Sequence, residues 1–169
     1  MLPFGKYAAL TAVLAMAACT SSGGGSGGLS DSQVRALPVT ANMPTSGTAT
    51  YTGKTSQTEY DPDVGNLTLT SDVRLDANFA SNRIGGTISN VKGSTALGSE
   101  TLRGDLKGTG DIVGSQFYVP VGGTLSSGSS RIYTTADIDG TFKGSNAEAI
   151  EGSVTFEDAA TTPLIAVKQ

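Results

Sequence analysis

An all-β fold, with eight antiparallel strands closing into an up-and-down barrel, is what this sequence predicts. Three observations carry that prediction. Apolar residues recur at alternate positions from Gly47 onward, clusters of turn formers separate the alternating runs, and no helical period of about 3.6 is found after residue 40.

Taken in order, Ala49, Tyr51 and Gly53 make a short alternation, and Leu67, Leu69, Val73, Leu75, Ala77 and Phe79 a longer one. The intervening Thr68, Thr70, Asp72, Arg74, Asp76 and Asn78 are polar, so this is a strand, or a strand with a bend near Ser71, buried on one face only. Ile84/Gly86/Ile88, Leu102/Gly104/Leu106 and Val113/Ser115/Phe117/Val119 repeat the pattern, which returns over Ile132–Phe142, Ile150–Phe156 and "LIAVKQ". The connections "YDPDVGN", "SNRIGG", "VKGSTALGSE", "GTGD", "VGGTLSSGSS", "KGSNAE" and "EDAATTP" are too short for the crossovers that parallel strands need. Strands with one apolar face must close on themselves or pair with a second sheet. Closure into a barrel just filled by side chains is favoured, with a sandwich as the alternative. Glycines on the inward parity (Gly86, Gly104, Gly140, Gly152) suit a sharply coiled wall. The outward parity is Thr, Asp, Arg and Lys, unlike the apolar belt of a membrane-spanning barrel.

Ahead of the barrel, Lys6 and the apolar run Tyr7–Ala18 have the form of a secretory signal, well short of the roughly 20 residues that span a bilayer. Met16-Ala17-Ala18-Cys19 resembles the lipobox of bacterial lipoproteins. That resemblance implies a diacylglyceryl thioether on Cys19, cleavage before it and acylation of the new amino group, with palmitate as a typical chain. Thr20 stands where an inner-membrane retention aspartate would, which implies outer-membrane sorting. "TSSGGGSGG", Thr20 to Gly28, is a flexible coil reaching about 16 Å, or about 30 Å if the loose segment extends to Ser46. Ser30–Leu37 is good for one or two helical turns before Pro38 and Pro44. The expected organisation is a signal peptide at 1–18, a lipidated cysteine and disordered tether at 19–46, and a barrel at 47–169. Such a chain is a monomer held to the membrane by its N-terminus.

Composition narrows the function. One cysteine permits no intramolecular disulfide and no cysteine metal cluster, and the absence of histidine removes the commonest general base and metal ligand. A net charge of −4 with 11 Lys+Arg leaves no footprint for nucleic acid.

A family resemblance follows from particular stretches. Gly47-x-Ala49-x-Tyr51-x-Gly53 resembles the first strand of the β-barrel domains of transferrin-binding protein B, and Leu67–Phe79 followed by Gly85-Gly86-Thr87-Ile88 resembles its next two. "GTFKGSNAEAIEGSVTF", Gly140 to Phe156, is similar to that family's F-x-G-x-x-A-E-E motif, with Ala147-Glu148 the distinctive pair; "LIAVKQ" is similar to its last strand. The resemblance covers 47–169 and implies a lobe-type barrel, displayed by a lipoprotein of a Gram-negative envelope, with a general binding role. With room for one bare barrel and no handle domain, it does not imply transferrin capture, and histidine-ligated haem is excluded.

Candidate site residues are few. Asp61 and Asp63, with Glu59 and Asn66, have oxygen spacing that suits calcium, but the order is wrong for an EF-hand loop and a solvated hairpin turn is preferred. Asp137 and Asp139 read as wet-face residues, and Glu148 and Glu151 as parts of a structural turn. Serine has no histidine partner, and a dyad with Lys107 or Lys143 has no sequence support. Loop residues Tyr60, Asp61, Asp63, Tyr118 and Tyr133 are the binding candidates, because tyrosines are what a recognition rim uses. The expectation is a non-enzymatic lipoprotein, surface-exposed or periplasm-facing, that needs no metal or cofactor and binds a protein or small ligand through its loops. A structural envelope lipoprotein without a soluble ligand is the alternative.

Overall fold

The computed structural model describes residues 28–61, 65–96, 98–157 and 161–169. The signal segment, Cys19 and the Gly/Ser run through residue 27 lie outside them. A short helix, α1 (Asp31–Ala36), precedes β1 (Thr48–Asp61), β2 (Gly65–Asn78), β3 (Arg83–Thr95), β4 (Gly98–Thr101), β5 (Leu106–Val113), β6 (Gln116–Ser127), β7 (Ser130–Lys143), β8 (Ala149–Phe156) and β9 (Thr161–Lys168). Eight strands form a ring in the order β2-β1-β9-β8-β7-β6-β5-β3, and β3 pairs back to β2 to close it. Every pairing is antiparallel. The predicted barrel is therefore the fold, and the sandwich is not. β4 is a short addition that pairs with Lys92–Thr95, the part of β3 that β5 does not reach.

Alternation explains the closure. Tyr51, Val73, Leu75, Ile84, Ile88, Leu106, Val119, Ile138, Val154 and Leu164 all point inward and are essentially fully buried. The outer wall carries Lys54–Asp72, Arg74–Asp76 and Arg83–Asp111 ion pairs at 2.9, 2.8 and 2.6 Å. Three of the four glycines expected on the inner wall do stand there: a Cβ on Gly86 would meet Val119 Cγ1 at 3.0 Å, on Gly140 the Phe117 ring at 2.8 Å, and on Gly152 the Asp139 carbonyl at 2.1 Å. The bend expected near Ser71 is a β-bulge in the facing strand, where Asn90 and Val91 oppose Ser71; Asn90 takes a left-handed φ of 53°.

Several strand boundaries differ from the sequence expectation. The expected strand over Leu102, Gly104 and Leu106 is a connection as far as residue 105; Gly104 has φ 114° there and β5 begins at Leu106. Val113 and Phe117 sit on different strands joined at Gly114, so Val113 is exposed while Phe117 is buried. "GTGD" lies within β5, and β6 runs through most of "VGGTLSSGSS". Gly108, Gly110, Gly122 and Gly123 thus lie within strands, and of the glycines in these two stretches Gly128, with φ 54°, makes the turn.

Residues 29–46, expected as part of a loose tether, are held on the barrel instead. Ser30 caps α1 in a capping box: Gln33 N donates to Ser30 Oγ at 3.4 Å and Ser30 N to Gln33 Oε1 at 2.8 Å. Val34 is fully buried, and Arg35 pairs with Glu151 of β8 at 3.1 Å. Beyond Pro38 the chain crosses the barrel end, with Thr40 N donating to Phe142 O at 2.9 Å and Thr40 Oγ1 to Gly144 O at 2.7 Å. Composition alone conceals this strap because its anchor is one apolar side chain on a six-residue helix. Val34→Ala is expected to cost about 1.5 kcal/mol, at about 0.8 kcal/mol per buried methyl-sized group. Hydrogen exchange should show the Leu37 amide, which donates to Val34 O, losing protection while the strands keep theirs.

Candidate functional site

The two ends of the barrel are built differently. At one end lie the connections 79–82, 114–115 and 144–148, with the strap across them. Phe142 is fully buried at the centre of this end, its ring 5.6 Å from Tyr51, 5.9 Å from Phe79 and 5.5 Å from Phe117 in tilted or edge-on contacts. The Tyr51 hydroxyl donates to Ala147 O at 2.7 Å, and burial, then the nearby Glu148 charge, raise its pKa above the ordinary tyrosine value. Ala147 is wholly buried with φ 53°, a left-handed position that a larger branched side chain would not tolerate. Glu148 closes the turn, accepting from Asn146 N at 3.1 Å and Ser145 Oγ at 3.2 Å. Burial pushes its carboxyl up, but these donors outweigh that and hold it below the usual carboxylate range. Glu151 is lowered first by its hydrogen bond from Lys143, at 2.9 Å. The Ala147-Glu148 pair and Glu151 thus belong to the seal of a closed end.

The opposite end is where β1 pairs into β2, β3 into β4, β6 into β7 and β8 into β9, with the 102–105 connection beside them. Here the strands run on past the packed core and leave a cup of about 220 Å³. Its walls are Leu69, Val91, Leu102, Leu125, Ile132 and Phe156, from five strands and the β4–β5 connection. Most of the polar side chains that reach it are partnered. Thr55 and Ser71 share a hydrogen bond at 2.6 Å, Thr162 Oγ1 donates to Gln57 Oε1, and Gln57 Nε2 donates to Glu59. Among the described residues Glu157 is the one charged lining residue, and it accepts from Thr135 Oγ1 at 2.9 Å. The lining is chiefly apolar, an arrangement suited to holding apolar surface.

The candidates read from the sequence are spread around the barrel. Tyr60 is exposed on β1 at the open end, and Asp61 closes that strand opposite Gly65. Tyr133 is exposed near the same end on β7, its hydroxyl lying over Gly122, with β9 and β8 between it and β1. Tyr118 stands on the outer wall toward the sealed end and donates to Asp137 Oδ1 at 2.6 Å, a bond that raises its own pKa. Asp63 and Cys19 lie outside the described residues. The cup walls are not among these candidates, although Phe117, Val119, Val121 and Leu125 keep one parity into the cup.

Comparison with known proteins agrees with this architecture. Residues 43–167 match the family model for the C-lobe and N-lobe beta barrels of Tf-binding protein B. No curated protein sequence matches the chain. Among solved structures, a surface lipoprotein superposes with a TM-score of 0.50 at 17% identity over 77% of this chain and 64% of the other. A Trp-176-Ala mutant of transferrin binding protein B from Haemophilus parasuis Hp5 gives 0.51 at 15% identity, over 78% of this chain and 28% of that one. The intact Ap-TbpB, with N and C lobes, gives 0.50 at 18% identity with the same coverages. The chain thus spans less than two thirds of the length of each of these structures. By its ring of strands and by the matched segment, this chain belongs to the family of transferrin-binding protein B lobe barrels.

Proposed function

We propose that the protein is a non-enzymatic lipoprotein of a Gram-negative outer membrane, anchored through Cys19, that binds a protein or a small ligand at the open end of its barrel. The observation that carries the reading is the asymmetry of the two ends: one is sealed by aromatic packing and a strap, the other keeps an apolar cup. Tyr60, Asp61 and Tyr133 stand on strands toward the open end, and we assign them, together with Asp63, to its recognition rim. Tyr118, on the outer wall, would serve only a partner that wraps the side of the barrel. Family membership and the likeness to a solved surface lipoprotein support this reading, as does the lipobox-like Met16–Cys19.

Cells expressing the full chain are expected to incorporate labelled palmitate into it, and Cys19→Ser to abolish both the label and sedimentation with membranes. Protease treatment of intact cells then distinguishes a surface-facing barrel from a periplasmic one. A captured ligand whose recovery falls with Tyr60→Ala or Tyr133→Ala supports the rim assignment. An unlabelled wild-type chain, or recovery of structural envelope components alone, overturns the reading.

A further inference from the structure

Resting on the assignment of binding to the open end, we propose that the cup takes a small uncharged apolar molecule, a single ring or a short alkyl chain of roughly nine non-hydrogen atoms. Size comes first. A closed cavity of about 150 Å³ lined by Leu, Ile and Phe stays dry and binds benzene. At about 220 Å³ the cup scales to roughly nine heavy atoms by the same measure. A long lipid chain exceeds it.

Charge comes second. Among the described residues no Lys or Arg lines the cup, and the one charged lining residue is Glu157 with its carboxylate. An anionic headgroup would lose water there without gaining a counter-charge. Glu157 is bonded to Thr135 twice, its carboxylate accepting from Thr135 Oγ1 at 2.9 Å and its amide donating to Thr135 O at 3.0 Å, so it is oriented toward β7. Polar recognition comes third. Thr55, Ser71, Gln57 and Thr162 are hydrogen-bonded to one another or to Glu59, and no buried side-chain polar atom among the described residues lacks a partner. The walls therefore ask chiefly for apolar surface, with the hydroxyls of Thr70 and Thr134 as the remaining polar groups on them.

Position supports the same occupant. The β3 bulge turns Val91 inward after Ile88, so the apolar lining continues past the point where the core ends. Leu102, in the β4–β5 connection, donates its amide to Val91 O at 2.8 Å and completes the wall where β5 is absent.

The test uses the full chain carrying Cys19→Ser, which lacks the acyl groups and needs no detergent. Calorimetric titration with 1-octanol, nine heavy atoms and uncharged, is expected to give saturable one-to-one binding, and octanoate at pH 7 to bind at least tenfold more weakly. The chain has no tryptophan, so Leu69→Trp both fills the cup and reports on it. Its emission is expected to be blue-shifted and its octanol affinity reduced at least tenfold. Ile132→Glu, at a rim position 62% exposed, keeps the fold and is expected to weaken octanol while leaving octanoate weak. Equal binding of octanoate, absence of saturable octanol binding, or octanol affinity untouched by both variants overturns the inference. If octanol fails while a protein ligand is still captured through Tyr60 and Tyr133, the ligand class is wrong and the open-end reading survives. If capture and octanol both ignore every open-end variant, that reading fails as well.

Discussion

Phe142→Ala is expected to destabilise the barrel by about 3–5 kcal/mol, near the top of the range for a buried aromatic. Three rings converge on Phe142 at centroid distances of 5.5–5.9 Å, and each contact is tilted or edge-on. Removing the hub therefore leaves a void that Tyr51, Phe79 and Phe117 cannot fill without moving. Tyr51 is tied by its hydroxyl to Ala147 O, and Phe79 by its amide to Gly47 O at 3.0 Å. Held this way, the site relaxes poorly, and the cost of a cavity is greatest where collapse is blocked. For a domain of this size the loss corresponds to a fall in Tm of roughly 10–20 °C. Phe156→Ala is the internal comparison, because Phe156 borders the cup and is only partly buried. It is expected to cost less than about 2 kcal/mol, since water reaches the space it vacates. Urea unfolding of both variants checks the difference; equal losses would mean that the two ends are packed alike.

Gly110→Val is expected to be at least as damaging, at or above the roughly 3 kcal/mol that marks severe overpacking. A Cβ there would stand 1.7 Å from the Tyr118 carbonyl oxygen and 2.8 Å from its carbon, so backbone rather than a side chain must yield. Gly108 faces Pro120 O at 1.8 Å in the same way. Both glycines lie between the Lys107↔Gly122 and Asp111↔Tyr118 pairs, where the β5 and β6 backbones approach closely. At Gly85, by contrast, an added methyl would meet nothing nearer than 3.9 Å, and Gly85→Ala is expected to stay within about 0.5 kcal/mol of the parent. The measurement is the soluble yield and urea midpoint of the three chains side by side. A Gly110→Val protein as stable as Gly85→Ala would show that the close β5–β6 approach is not required.

These glycines show where the sequence is readable and where it is not. Parity is legible: Tyr51, Leu75, Ile138 and Val154 face the same interior, because alternation forces every second side chain to one side. Strand ends are not. Glycine signals a turn and a close backbone approach equally well, so Gly108 and Gly110 suggest a loop inside what is a strand. The cup is hidden for the same reason. Val91 lies beyond a bulge that shifts its parity relative to Ile88, and Leu125 lies in a Gly/Ser-rich stretch that resembles a turn. The Ala147-Glu148 pair stands out in the sequence, but its role as a left-handed corner hung from Tyr51 emerges only when β1 and the 144–148 turn meet, 96 residues apart.

β1, the earliest strand in chain order, pairs with β9, the latest, through Tyr51↔Lys168 to Lys54↔Ile165. The cylinder consequently stays unzipped until the end of the polypeptide has arrived, and two ladders of bare amides and carbonyls persist until then. Such contacts, remote in sequence, make assembly slow and leave the half-built sheet adhesive. A nascent chain of this design needs a holding chaperone, or delivery in an unfolded form, more than a compact helical protein would.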